Sequence, residues 1–252
     1  MNNPGKLDES PLHKCVRVDD VDGCRALVAA GAEPLAKDGD GFNAIHVAAS
    51  FAGEAMMEYL LSLEGADLTE ATEEGNGLPP LHLAVLQERS GEYIDFLIRK
   101  GAAVDQFSIE SQRTALHEAA DRGLTEGARA LLRNQAAVNN GDIVGLRPLA
   151  LAAGGDHAEV AALLLAHGAR WQIQNADGDD AFVIASRKGS AGVVALFLEA
   201  GADPDQYHPL IGMTPREIAQ ENGHDDILSV FRSWDARKRL VTVMSPLAKV
   251  AQ

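Results

Sequence analysis

Apolar residues recur along the whole chain at the spacing of short amphipathic helices. In TALHEAADRG (114–123) a leucine and an alanine pair fall at helical spacing, after a threonine suited to cap the helix. Gly123 then marks a turn, and Ala128, Leu131 and Leu132 of the next segment share one face. This pattern predicts a pair of short antiparallel helices.

The same pattern is repeated seven times. The phrase occurs as SPLHKCV, NAIHVAA, PPLHLAV, TALHEAA, RPLALAA, DAFVIAS and TPREIAQ, whose fourth residues are His13, His46, His82, His117, Ala150, Val183 and Glu217. Successive markers are 33, 36, 35, 33, 33 and 34 residues apart, and a Gly-Ala or Gln-Ala pair follows the first six after 18 or 19 residues. Two phrases that keep the same phase define a true repeat.

Polar turns separate one helix pair from the next. The segments Asp38-Gly39-Asp40-Gly41 and Asp177-Gly178 carry hairpin-turn signals and predict a projecting, hairpin-like finger between repeats. The second finger is two residues longer than the shortest ones, and single residues are inserted near Ala52 and Arg89. Insertions in such arrays map to loops, which often lie on the binding side.

The period and the T-P-L-H-x-A phrase together resemble the ankyrin repeat. The resemblance implies an all-α solenoid of about seven helix-turn-helix units with projecting fingers, stacked so that neighbours share one core. It covers residues 1–234, with units near 8–42, 43–78, 79–113, 114–146, 147–179, 180–213 and 214–234. Residues 235–252, basic and then apolar, form either an ordered cap extension or a loose tail, and the loose tail is favoured.

Composition narrows the class of partner. The formal charge is −15, although residues 232–252 alone carry +4, so the remainder carries −19. Such a surface repels phosphate backbones, which argues against nucleic acid and favours a protein with a basic or mixed basic and apolar surface. The chain shows no membrane span, no secretory signal and no disulfide framework, so we expect a cytoplasmic protein.

The histidines and acidic turns do not predict a metal site. His13, His46, His82 and His117 occupy the same position in successive repeats, about one helix layer apart, which is too far for shared metal coordination. The resemblance implies that this histidine bonds within its turn. The turns DGDGFN and NADGDDAF lack the spacing of a calcium loop. We therefore expect no metal and no cofactor.

No residue pattern indicates catalysis. The sequence lacks a nucleophile elbow, a zinc-protease helix and a phosphate loop. Cys15 and Cys24 fall at small core positions, and Trp171 takes an aliphatic position that predicts inward packing. We therefore expect a protein that is not an enzyme.

What is known of ankyrin arrays implies a concave groove formed by the finger tips and the ends of the first helices. Apolar residues exceed what the framework needs at these positions, which is typical of a partner surface. The predicted partner-binding residues are Asp40, Phe42, Phe51, Leu78, Leu86, Arg113, Asp121, Arg122, Ile143, Val144, Leu146, Asp179, Arg187, Lys188, Leu210 and Ile211. Further positions at the same slots are Ser50, Asn76, Gln87, Glu110, Asp177 and Met213.

These observations favour a non-enzymatic module that binds one partner protein and acts as an adaptor, an inhibitor or a neutralising, immunity- or effector-like protein. The alternative is a regulatory or substrate-recruiting subunit of an enzyme complex. A third interpretation, an array modified at Asn139 or binding a small ligand, has weaker support because asparagine also forms ordinary turns.

Overall fold

The computed structural model describes residues 10–73 and 76–250. In these ranges the chain forms fourteen helices and no strand, with one isolated antiparallel bridge between His208 and Met213. The helices are α1 (Pro11–Arg17), α2 (Val21–Ala29), α3 (Ala44–Phe51), α4 (Glu54–Leu61), α5 (Pro80–Leu86), α6 (Gly91–Arg99), α7 (Ala115–Asp121), α8 (Thr125–Arg133), α9 (Pro148–Gly154), α10 (Ala158–Ala166), α11 (Ala181–Lys188), α12 (Ala191–Glu199), α13 (Pro215–Glu221) and α14 (Asp225–Val250). Each predicted repeat therefore contains one helix pair.

The chain divides into two compact units. The N-terminal unit comprises residues 1–119 and 124–143, and the C-terminal unit comprises residues 120–123 and 144–252. Within each unit, first helices pack on first helices, as α3 does on α1 and α5, and as α11 does on α9 and α13. Small residues such as Ala48, Ala84 and Ala185 are fully or almost fully buried on these helices, which allows close approach of their axes.

Side-chain caps explain where several helices begin. Asn43 accepts the backbone N–H of His46 and Thr214 accepts that of Glu217, and in both cases the later side chain accepts the capping residue's N–H in return. Such reciprocal boxes satisfy two amide groups that a helix start leaves unpaired. Glu217 occupies the marker position of the seventh repeat and, like His46 in the second, accepts the N–H of the capping residue.

The marker histidines of the N-terminal unit bond to the finger at the end of their own repeat. Their Nε2 atoms lie at hydrogen-bond distance from a backbone carbonyl of that finger, which leads to the next helix pair. The pairs are His13 with Phe42 O at 3.0 Å, His46 with Glu70 O at 2.9 Å and His82 with Arg113 O at 2.9 Å. The carbonyls can only accept, so the ring must carry its proton on Nε2. The Nδ1 atom of each neutral ring is then an acceptor.

His82 differs from its neighbours at that second nitrogen. The backbone amides of Asn43 and Thr114 donate to Nδ1 of His46 and His117 at 3.2 and 3.1 Å. The residue that precedes α5 is Pro79, which has no N–H, and Nδ1 of His82 is buried without a partner. A buried acceptor left unpaired destabilises the fold.

We expect Pro79→Thr to raise the free energy of unfolding by about 1 kcal/mol, because Thr supplies an N–H for Nδ1 and a side-chain cap for α5. The gain is reduced by the lost rigidity of proline in the unfolded chain. Urea unfolding at pH 7 measures the change. Pro79→Ala, which restores the N–H without the hydroxyl, separates the two contributions. Equal or lower stability of the threonine variant would contradict the assignment.

Aromatic rings fill the core of the C-terminal unit. Phe182 is 2% exposed and contacts the rings of Trp171, Phe197 and Phe231, with centroid distances of 5.9 to 6.2 Å. Most of these rings meet edge to face, the arrangement that their quadrupoles favour. Trp171 is half-buried against this cluster, so the inward packing expected from the sequence is observed.

The last helix continues well beyond the array. Helix α14 includes residues 235–250 and ends at Val250, so this part of the segment is helical. A helix fits either a cap extension or a tail, so the preference for a loose tail stays a prediction. The run Ala236-Arg237-Lys238-Arg239-Leu240 consists of strong helix formers, which explains the continuation. Lys238 lies 4.4 Å from the centroid of the Trp234 ring, on the preceding turn.

The two cysteines lie together in the first repeat. Cys24 is buried, and burial together with the neighbouring Cys15 raises the pKa of its thiol to about 12. Cys15 is half-buried, and its Sγ lies 3.4 Å from the carbonyl oxygen of Asp20. Cys24 therefore fits the core position expected for it, whereas Cys15 lies at the edge of the core.

Candidate partner-binding surface at the fingers

The first and the fifth finger are each closed by an acidic or amide side chain at the first position of the turn. Asp38 accepts the backbone N–H groups of Asp40 and Phe42 at 3.0 and 2.9 Å. Asn175 makes the same pair of bonds to residues 177 and 179 in the fifth finger. These side chains hold the turn, so the residues between them are free to vary.

Backbone hydrogen bonds join neighbouring fingers inside each unit. In the N-terminal unit the N–H of Ile109 donates to Gly77 O at 3.1 Å, and that of Ile143 donates to Ser111 O at 3.0 Å. In the C-terminal unit the N–H of Ala176 donates to Val144 O at 3.0 Å. We call this series of bonds the finger ladder. It fixes the tips by backbone contacts, whatever side chains they carry.

The ladder in the N-terminal unit presents two large apolar side chains to solvent. Ile109 is 67% exposed and Ile143 is 62% exposed, although both are β-branched and held by the ladder. Ile109 packs directly over Gly77, because a Cβ atom added at Gly77 would lie 2.5 Å from the Cβ atom of Ile109. The N-terminal finger edge, defined as Asp40, Leu78, Ile109, Glu110 and Ile143, is therefore preorganised and partly apolar.

The C-terminal unit has a corresponding edge. Leu210 is 73% exposed and packs against Gly178 of the preceding finger, where a Cβ would lie 2.8 Å from its Cδ1. Val144 is also exposed, and Ile211 is half-buried beside Leu210. We call Val144, Leu210 and Ile211 the C-terminal finger edge.

Unpaired carboxylates surround the N-terminal finger edge. The nearby cations are already engaged, because Lys37 binds Glu70 and Glu73 at 2.9 and 2.8 Å and Arg113 lies 3.4 Å from Asp142. The two glutamates raise the pKa of Lys37 by hydrogen bonding and charge. Asp40 and Glu110 are exposed and have no ion pair among the described residues. The local field is therefore negative.

The predicted residues at the ends of the first helices are more varied. Phe51 is partly exposed, with the Arg17 guanidinium 4.5 Å from its ring centroid. Arg187 is half-buried and makes a bidentate ion pair with Asp179, a hydrogen-bonded contact that raises the pKa of the guanidinium. Asp179 is only 8% exposed, so its carboxylate faces Arg187 rather than solvent.

The structure thus sorts the sixteen predicted partner-binding residues by exposure. Exposed are Asp40, Phe51, Asp121, Arg122, Ile143, Val144, Lys188 and Leu210. Half-buried are Phe42, Leu78, Leu86, Arg113, Leu146, Arg187 and Ile211, and buried is Asp179. Ser50, at a matching slot, is also buried and donates to the carbonyl of His46.

Three large exposed finger side chains are absent from the predicted set, Phe107, Ile109 and Tyr207. All three belong to fingers that are one residue longer than the shortest, so counting back from the helix phrase does not reach them. Ile109 immediately follows Ser108, as the predicted Ile143 follows Asp142, so its distance from that position indicates a tip residue. Phe107 and Tyr207 instead precede the corresponding positions, Ser108 and His208.

The remaining histidines make structural contacts. Nε2 of His157 lies 3.0 Å from the carbonyl of Asp121, and Nε2 of His224 lies 2.8 Å from that of Arg187. Among the described residues, no group of three or more acidic, histidine or cysteine side chains is placed to hold a metal ion. Within residues 10–73 and 76–250, no helix combines the length and the apolar character of a membrane span.

Comparison with known proteins agrees with this architecture. A family model described as ankyrin repeats (3 copies) matches residues 45–142 and 149–239. The mouse B-cell lymphoma 3 protein homolog is 30% identical over 208 residues, which cover 79% of this chain and 46% of that protein. The chicken nuclear factor NF-kappa-B p105 subunit is 30% identical over 176 residues, 69% of this chain and 18% of that protein.

A solved structure shares the fold. The crystal structure of the ankyrin repeat domain of Bcl-3, described as a unique member of the IkappaB protein family, superposes with a TM-score of 0.74. The match covers 90% of this chain and all of that domain at 23% identity, so it concerns the fold alone. The chain spans less than half the length of the mouse relative and about a fifth of the chicken relative.

Proposed function

The chain belongs to the ankyrin repeat family, whose arrays serve protein–protein interaction, and from that premise we propose that it is a non-enzymatic adaptor or inhibitor. In this proposal the finger edge of each unit is a surface that binds a partner protein. The proposal includes a neutralising role of the immunity or effector type, in which the bound partner is a harmful protein. The first-helix residues Phe51, Arg122 and Lys188 are proposed as flanking contacts, since all three are exposed.

One observation carries the proposal, the solvent exposure of Ile109 and Ile143 on a rigid ladder. Isolated exposed apolar side chains need no explanation, but these two stand on adjacent fingers that are joined by backbone bonds. Rigid apolar groups lose little conformational entropy when a partner covers them. They are therefore suited to act as anchors of a binding surface.

The charge around the anchors supports a basic or mixed basic and apolar partner. Asp40 and Glu110 are exposed and form no ion pair within residues 10–73 and 76–250, whereas Lys37 is neutralised by two glutamates. Carboxylates at the rim of an interface accelerate association with a basic partner and repel acidic competitors. The formal charge of −15 extends this preference beyond contact distance at low salt.

We expect the double variant Ile109→Asp, Ile143→Asp to recover at least tenfold less partner than the wild type in affinity purification, which is about 1.4 kcal/mol of binding free energy. The matched control is Ala103→Asp, an exposed apolar-to-acidic change in the same unit but outside the finger edge. Circular dichroism and thermal unfolding verify that both variants remain folded. Undiminished recovery by the double variant would move the site away from the N-terminal finger edge.

A further inference from the structure

A small cavity lies in the C-terminal unit between the sixth finger and the start of α11. Its volume is about 180 Å³. Its walls include three aromatic side chains and three ionisable ones, namely Trp171, Phe182, Tyr207, Asp180, Asp203 and His208. None of these residues belongs to the C-terminal finger edge, so this cavity is a separate feature of the unit.

The aromatic walls are held firmly on one side and open on the other. Trp171 is fixed by ring contacts to Phe182 and Phe197, with centroids 6.0 and 6.2 Å away. Tyr207, by contrast, is 58% exposed and lies on the finger. The faces of tryptophan and tyrosine attract cations through their ring quadrupoles.

The charged walls are negative. Asp180 and Asp203 contribute carboxylates, and neither Lys nor Arg lines the cavity among the described residues. Asp180 already accepts the N–H of Val183 and contacts His208, so its role toward a ligand is its charge. Asp203, by contrast, bonds only the N–H of Asp205, through Oδ1, in the part of the chain that the structure describes. Arg216, on the neighbouring helix α13, is already occupied. It binds Asp205 at 2.6 Å and Asp235 at 3.2 Å, and its contact lowers the pKa of Asp205. It does not neutralise the cavity.

His208 lines the cavity and carries an unused nitrogen. The first position of this finger, occupied by Asp38 and Asn175 in other fingers, is here a histidine whose Nε2 lies 3.0 Å from Asp180 Oδ2. The carboxylate accepts, so in the neutral ring Nδ1 is left as an acceptor. His208 is 9% exposed, and among the described residues its Nδ1 is buried without a partner. Buried polar atoms are normally paired, so a donor from a ligand that displaces the cavity wall slightly would satisfy this one.

We propose that this cavity binds the guanidinium group of an arginine side chain from the partner protein. A guanidinium is planar, stacks on aromatic faces and carries five N–H donors, which suits carboxylates and an unpaired acceptor better than a compact ammonium group does. The partner as the source of the arginine rests on the proposed function. The recognition of a guanidinium by the cavity itself does not.

The test uses N-acetyl-arginine amide as the probe and 5-fluorotryptophan in the chain. The protein has two tryptophans, so ¹⁹F NMR resolves one signal in the cavity and one internal control, Trp234, which is covered by Lys238. We expect the Trp171 signal to move saturably with a dissociation constant on the order of 1 mM, while the Trp234 signal stays in place. The neutral isostere N-acetyl-citrulline amide should move neither signal.

Two variants address the acceptor and the charge. His208→Asn places in the sixth finger the residue type that closes the turn of the fifth finger, so the turn is kept and Nδ1 is removed. Asp203→Asn removes one carboxylate, and the amide oxygen of the new side chain still accepts the N–H of Asp205. We expect each to weaken binding of the arginine amide at least fivefold. No saturable shift in the wild type, or an equal response to citrulline, overturns the proposal.

The same probe separates this proposal from the proposed function. The double variant Ile109→Asp, Ile143→Asp alters the N-terminal unit only, so it should bind arginine amide as the wild type does. Failure of partner capture with intact arginine binding would reject the finger edge and retain the cavity. The reverse result would reject the cavity and retain the finger edge.

Discussion

Replacing Phe182 by alanine is expected to lower the free energy of unfolding of the C-terminal unit by about 4 kcal/mol. Phe182 is almost completely buried and contacts three other aromatic rings, so its removal loses both transfer free energy and ring–ring contacts. Both tryptophans lie in this unit, so their fluorescence during urea unfolding measures its stability.

The control for this prediction is Leu210→Ala, which removes a large apolar side chain that is 73% exposed in the same unit. We expect that change to cost less than about 1 kcal/mol. Because arrays of repeats need not unfold in one step, the tryptophan signal and the far-ultraviolet circular dichroism should be followed separately. A loss below about 2 kcal/mol for Phe182→Ala would contradict the tight packing of the ring cluster.

The second large effect is a loss of folding stability at acidic pH. Burial lowers the pKa of His82 to about 4, against the opposing influence of its bond to the Arg113 carbonyl. The unfolded chain has an ordinary histidine pKa near ~6.5, so between these values it binds a proton that the folded state does not. The contribution of His82 is therefore fully present above pH ~6.5 and is lost as the pH falls to about 4, by about 3 kcal/mol.

This contribution can be isolated with His82→Ala, since alanine occupies the equivalent position at Ala150. We expect the stability advantage of the wild type over this variant to shrink by about 3 kcal/mol between pH 7 and pH 4, measured by urea unfolding at each pH. His46, whose pKa burial also lowers, remains in both proteins and cancels. An advantage that is the same at both pH values would mean that His82 titrates normally in the folded chain.

The helices and their order could be predicted from the sequence because each repeat encodes its own caps, turns and apolar face. Gly101, after α6, has a φ of +112° with open space around its Cα, as the Gly-Ala phrase predicts. Gln135 takes the same place in the next repeat with a φ of +64°, so the position, rather than the glycine, defines the turn. Local signals of this kind do not depend on distant residues.

The candidate site was less predictable because exposure depends on neighbouring fingers. Asp179 occupies the finger position that the repeat pattern predicts to contact a partner, but its carboxylate pairs with Arg187, eight residues later in the chain. Ile109 was overlooked because one additional residue in its finger shifts the tip. His208 shows no unusual feature in the sequence, and only the structure brings its ring to Asp180.

The finger ladder has a consequence for how this surface can change over time. In the N-terminal unit the ladder is built from main-chain atoms of residues 77, 109, 111 and 143. Substitution of most tip side chains therefore leaves the bonds between the fingers intact. New specificities can accumulate at the tips by single substitutions without a matching change elsewhere. The same property makes this chain a practical starting point for libraries in which Asp40, Glu110 and Ile143 are randomised to select binders of chosen targets.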